Sequence, residues 1–332
     1  MTDTHATHTI PREGRPASLV RLLGWGMLAA LAAYLINNIL HVGFDMPSVN
    51  QALSGQAGAL AIVPIGVYAV SFAIAFLYVQ RNATTSLRFD ADRIHRFNCY
   101  LIRALFFSVF FVGIADAIVA LMRVENVFEA FLSEDAARQF GRAAFVAPYV
   151  HIPLIIVGFV VALFSRTLGF TWLALLIVAA ELLIVITRFV FSYEQAFMGD
   201  LVRYWYAALF LFASAYTLFD EGHVRVDILY AGFTHKTKGF VNAIGSLTLG
   251  AATCWVILLV GMSGRQSMIN APVVSFEISQ SGAAGMFIKY QMAVFIGLFA
   301  ITMMIQFVSY FFEAVANYRE EPGRREVAPV SH

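Results

Sequence analysis

Residues 205–227 read WYAALFLFASAYTLF and then DEGHVRVD. An apolar run from Trp205 to Phe219 meets a charged knot at Asp220 to Asp227, and a second apolar run, Phe240 to Gly261, follows. Neither run alternates with period two, and each is long enough to seek lipid as a helix, the one open structure that satisfies its own backbone there. The rest of the chain agrees. It is 60% hydrophobic and 13% charged, against about 25% charged residues in soluble domains. The fold class is therefore all-α, a polytopic membrane protein.

Spans of about 20 apolar residues each can be placed at Leu22 to Leu40, Leu60 to Val79, Tyr100 to Leu121, Val146 to Phe164, Thr171 to Phe191, Tyr204 to Phe219, Phe240 to Gly261 and Met286 to Phe312. That makes about eight transmembrane helices. The sixth is the shortest, so its helix is expected either to begin earlier or to be partly shielded by neighbouring protein. A polar tail over 1–18 precedes a four-helix extension over 19–168; a second four-helix domain occupies 169–318, and 319–332 forms another polar tail. The first tail holds Pro11 and Pro16, and no small-residue cleavage site follows the first span, which argues against a removed leader.

Lys and Arg set the orientation. With the N-terminus inside, fourteen fall in inside segments and five outside, so both termini are expected in the cytoplasm. The outer loop near 124–142 repeats Val124, Val127, Phe128, Phe131, Leu132, Ala136 and Phe140 at helical spacing, with Glu125, Glu129, Glu134, Asp135 and Arg138 on other faces; this predicts an amphipathic helix that rests on the headgroups or docks a partner.

Three further elements stand in order along the chain. Arg188-Phe189-Val190-Phe191 ends a span, Asp200-Leu201-Val202-Arg203-Tyr204 follows, and the next span runs through Ala213-Ser214-Ala215-Tyr216-Thr217-Leu218 into His223-Val224-Arg225-Val226-Asp227. Over roughly Thr171 to Tyr318 the chain resembles the DctQ-like small permease subunit of tripartite ATP-independent periplasmic (TRAP) transporters. The resemblance implies a subunit of a secondary, ion-gradient-driven transporter for organic acids or related solutes, in the bacterial inner membrane. Its implied partners are a large, DctM-like permease subunit, a periplasmic solute-binding protein and membrane lipids. The small subunit would brace the large one, help dock the binding protein, and have no transport site of its own. The first four helices have no counterpart in the common four-helix subunit.

The residues themselves suit a brace. No broken helix pair and no cluster of carboxylates offers a sodium site. No nucleophile motif, Walker loop, dinucleotide fingerprint or HExxH string supports an enzyme, and no basic cluster supports nucleic-acid binding. No cofactor or metal is expected. Cys99 and Cys254 both fall within or at the end of spans, so no disulfide is expected either. The alternative of a different class is a membrane anchor or haem-binding subunit of an oxidoreductase, which would need His41 and His151 to converge.

His223, Arg225 and Asp227 share one side of an extended segment, while a helix would pair Glu221 with Arg225 and His223 with Asp227. Either way Arg225 can fork onto a carboxylate, a carbonyl or a phosphate. This string, with Arg188, Asp200 and Arg203, is the candidate structural latch or partner contact. Glu181, Asp116 and Arg103 are the intramembrane polar residues. Glu181 lies mid-span and calls for protonation or a partner on another helix, since Arg188 is about 10 Å along the same axis. Arg103 can snorkel, and Asn37, Asn38 or His151 could meet Asp116.

Overall fold

The computed structural model describes residues 10–167, 169–220, 230, 232–279 and 281–324. Among them the structure is helical, with an isolated bridge between Glu13 and Thr85 and no strand. The long helices are α1 (Ser18–Phe44), α2 (Ile62–Arg81), α3 (Leu87–Val124), α4 (Ala143–Phe164), α5 (Phe170–Phe191), α6 (Ala196–Phe219), α7 (His235–Gly261) and α8 (Lys289–Tyr318). Seven of these, all but α6, are long and apolar enough to cross a membrane. The chain is a multi-pass, all-helical membrane protein. In α6 the apolar stretch from Tyr204 is preceded by two turns carrying Asp200 and Arg203, so the sixth helix does begin earlier than its apolar run.

Helices outrun their apolar stretches elsewhere too. α3 starts at Leu87, well before Tyr100, because its first turns have an inward face of their own: Leu87, Ala91, Ile94 and Asn98 are all buried.

Two compact units form. The first comprises Met1–Asn98, Thr217–Val256 and Met303–His332, and the second Cys99–Tyr216 with Ile257–Thr302. Each draws residues from both sides of position 168, so neither coincides with one half of the sequence.

In the first unit the segment before α1 lies along the α2–α3 connection, where Gly14 N–H donates to Thr84 O at 2.8 Å and Ser86 N–H to Arg12 O at 2.9 Å. Gly239 faces the α8 backbone so closely that a Cβ would stand 2.5 Å from Tyr318 N. In the second unit a Cβ on Gly158 would stand 2.5 Å from Ser108 N, which brings α4 onto α3 at backbone contact. Trp205 lies over Gly113 in the same way and donates its indole N–H to Val109 O at 3.3 Å.

The 124–142 loop differs from its expected form. Two short helices, Phe128–Phe131 and Glu134–Phe140, replace one amphipathic helix, and the second is capped by Ser133. Phe128 and Phe140 stack at 4.8 Å, and Phe128 is buried with Val119, Val146 and Phe287. Phe128 thus has protein to cover it, while Phe131 on the same loop is 77% exposed.

Candidate functional site

The second unit holds a fully buried polar seam. Proline supplies its local geometry: Pro148 lies within a π turn over Ala147–His151, and Pro153, two residues after it, has no N–H to continue the α pattern. His151 sits at the end of that turn, wholly buried, with Nε2 3.1 Å from Asp116 Oδ1. A neutral imidazole protonated on Nε2 satisfies every neighbour. Asp116 then accepts from Nε2, while Nδ1 accepts from the Tyr290 hydroxyl at 2.9 Å or the Gln291 amide at 3.0 Å. The amide oxygen of Gln291 in turn accepts from the Tyr204 hydroxyl.

The same groups hold the segment leading into α8. Phe287 N–H donates to Asp116 Oδ2 at 2.7 Å, and Met286 N–H donates to Asp200 Oδ2 at 3.1 Å. Arg123 reaches over the Phe287 ring, 3.9 Å from its centroid, and donates to Ala283 O at 2.7 Å and Gly285 O at 2.5 Å. Gly285 has to be glycine, since a Cβ would lie 2.1 Å from Ser279 Oγ and 2.6 Å from Asp200 Oδ2. Met286, Phe287 and Ile288 are consequently buried. Two carboxylates and a guanidinium thus satisfy backbone groups that lipid could not.

The first unit holds buried ion pairs. Arg21 and Asp90 are both fully buried with Nε–Oδ2 at 2.6 Å. Trp25 and Tyr78 also donate to Asp90, at 3.2 and 3.3 Å. Arg88, nearly as buried, pairs with Glu313 and donates to Asn317 Oδ1 at 3.0 Å, Glu321 O at 2.8 Å and Pro322 O at 2.9 Å. Nearby, His95 Nδ1 meets Gln306 Oε1 at 3.0 Å.

The candidates from the sequence separate accordingly. Asp116 meets His151, one of the three partners foreseen for it. Arg103, partly buried, donates to Ala162 O at 3.2 Å and Ser165 O at 2.8 Å, so its head caps the end of α4. Asp200 is buried in α6 against Met286, and Arg203 stands exposed, 3.7 Å from it. Arg188 is exposed and paired with Glu194 at 3.2 Å. Glu181 is exposed, and among the described residues nothing hydrogen-bonds or pairs with it, so the partner expected within the bundle is not there. Glu221, His223, Arg225 and Asp227 lie outside the described residues. Outside the helices, Tyr193 donates to Glu125 at 2.6 Å, and that bond to a carboxylate pushes its phenol up to about 12.

Arg21, Asp90, Arg123, Tyr290 and Gln291 went unremarked in the sequence. Arg21 and Asp90 stand outside the predicted spans, where a charge is ordinary, and nothing local distinguishes Tyr290 or Gln291. Among the described residues no three His, Cys, Asp or Glu side chains converge as a metal site. Both nitrogens of His151 are taken up in the seam, and His41 Nδ1 bonds Met46 O at 2.7 Å.

Residues 175–316 match the family model described as Tripartite ATP-independent periplasmic transporters, DctQ component. The match lies inside the stretch on which the sequence resemblance rests, and several apolar helices precede it. No curated protein and no solved structure matches the chain.

Proposed function

We propose that this chain, a TRAP transporter small permease subunit by virtue of its DctQ domain with an N-terminal extension, braces a large DctM-like permease subunit in the bacterial inner membrane. The observation that carries the proposal is the family match over 175–316. The seam supports it. Asp116, Arg123 and His151 of the extension bond Phe287, Gly285, Tyr290 and Gln291 of the DctQ domain, which makes a stiff unit of the kind a brace requires. All of these groups are satisfied within the chain, so none is left for a transported solute. Solute selection then belongs to the large subunit and to a periplasmic binding protein that delivers organic acids or related compounds.

In this reading eight helices cross the membrane, both termini are cytoplasmic, and the string from Glu221 to Asp227 latches the α6–α7 connection on the cytoplasmic side. A cysteine at Lys236 should resist an impermeant reagent added from the periplasm; labelling there overturns the topology. Arg225→Ala should lower recovery of the assembled complex, with Arg225→Lys milder, because lysine keeps the charge and loses the planar fork. For the function itself, the full chain is co-expressed with the large TRAP permease of the same organism. Joint purification, and sodium-driven uptake of an organic acid in liposomes supplied with the binding protein only when both subunits are present, is the expected result. Uptake by this chain alone would sink the reading.

A further inference from the structure

α5 differs from the other long helices in how little of it the rest of the chain covers. Of its 22 residues, Leu173 is buried, while Leu175, Val178, Leu182, Val185 and Phe189 are all strongly exposed. An apolar helix face against lipid is ordinary, but this one carries a carboxylate. Glu181 is exposed at the middle of α5, about 15 Å from either end at the helical rise. Val178 and Val185, three residues before and four after, stand beside it on the same flank. Acyl chains offer no hydrogen-bond donor at that depth, whether the acid is ionised or protonated. Arg188 does not supply one, being paired with Glu194 near the helix end.

We infer that the outward flank of α5 around Glu181 is a docking surface for a transmembrane helix of the large permease subunit, one that presents a hydrogen-bond donor or a cation at mid-depth. The inference rests on the transporter reading and adds to it the surface and its chemistry. A second copy of this chain fits less well. A symmetric α5–α5 contact would set one Glu181 against the other, which repels when the acids are ionised and holds only when both are protonated, and the flank residues Val178 and Val185 provide no donor. A helix with an arginine, lysine, asparagine or hydroxyl side chain at that level satisfies the acid and covers the valines together.

The test uses the full chain co-expressed with the large permease, with a photoreactive benzoylphenylalanine at Val178 or Val185 and, as a lipid-facing control, at Phe164. The expected result is a crosslink to the large subunit from both α5 positions and none from Phe164. In parallel, Glu181→Leu should lower the large subunit recovered with the chain by about three- to tenfold, the range for losing one interhelical hydrogen bond. Glu181→Gln, which keeps an acceptor, should fall between Leu and the parent. Crosslinks to a second copy or to lipid, or a Glu181→Leu variant that assembles like the parent, overturn the docking surface and leave the transporter reading standing. If the parent chain recovers no large permease at all, both fail together.

Discussion

The two units solve the same problem, polar groups removed from water and lipid, with different chemistry. In the first, guanidinium meets carboxylate: Arg21 with Asp90 and Arg88 with Glu313. In the second, two carboxylates and the Arg123 guanidinium meet backbone groups, one of those carboxylates also meets an imidazole, and the remainder of the seam is phenol and carboxamide. Buried ion pairs cost a great deal when one member is removed and little when both are replaced by apolar groups of similar shape. A seam of backbone amides behaves otherwise, because an N–H that is part of the chain cannot be deleted along with its acceptor. The first unit should therefore tolerate paired replacement and the second should not.

The largest effect is expected for Asp90→Ala, which strands a fully buried Arg21: about 3–5 kcal/mol, read as loss of folded protein by heating in detergent and size-exclusion chromatography. The double variant Arg21→Met with Asp90→Leu should recover most of that. A double variant as unstable as Asp90→Ala would show that the geometry of the pair matters beyond its charges.

Next comes Asp116. Asp116→Ala leaves Phe287 N–H and the His151 Nε2–H without acceptors, at about 1–3 kcal/mol for each group. Adding His151→Leu should not restore stability here, since Phe287 N–H remains orphaned; full rescue would remove the proposed contrast between the units. Asp116→Asn sharpens the point. Its carboxamide can accept from Phe287 only by turning its NH2 toward His151 Nε2, which forces the other tautomer and sets Nδ1–H against the Gln291 amide.

Gly158→Val should cost about 1–3 kcal/mol through overpacking against the Ser108 backbone. The same substitution at Gly66, around which nothing lies within 4 Å, should be near neutral in the same melt. The smallest effect is expected for Arg103→Lys. A point charge can still favour the α4 terminus, so a loss within about 0.3–1 kcal/mol is predicted; a larger loss would mean that the two-carbonyl fork on Ala162 and Ser165 holds the α3–α4 contact.

The units also differ in how far the sequence revealed them. Asp116 was visible as a mid-helix carboxylate and His151 as a histidine opening a span, because ionisable groups stand out in an apolar run. Arg103 was visible for the same reason, yet its partners are backbone carbonyls, which carry no sequence signature. In the outer loop Val127, Phe128 and Phe131 have helical spacing, yet Phe128 is covered by Phe287 and Val146 while Phe131 stays exposed, and spacing alone does not distinguish them.

Hydropathy alone determined that this chain is helical and crosses the membrane repeatedly, since lipid admits few backbone solutions and each span's composition is a local property. The order of Arg188, Asp200 and the string from His223 to Asp227 led to the transporter family, because those elements lie along a single stretch of chain. The tertiary structure decided that Asp116, Arg123 and His151 share one polar seam with the segment from Ala283 to Gln291, and that Glu181 is exposed. Asp116 meets Phe287 N–H across 171 residues, and the side of a helix that finds cover depends on neighbours far away in sequence. A pattern confined to 20 residues holds no record of them.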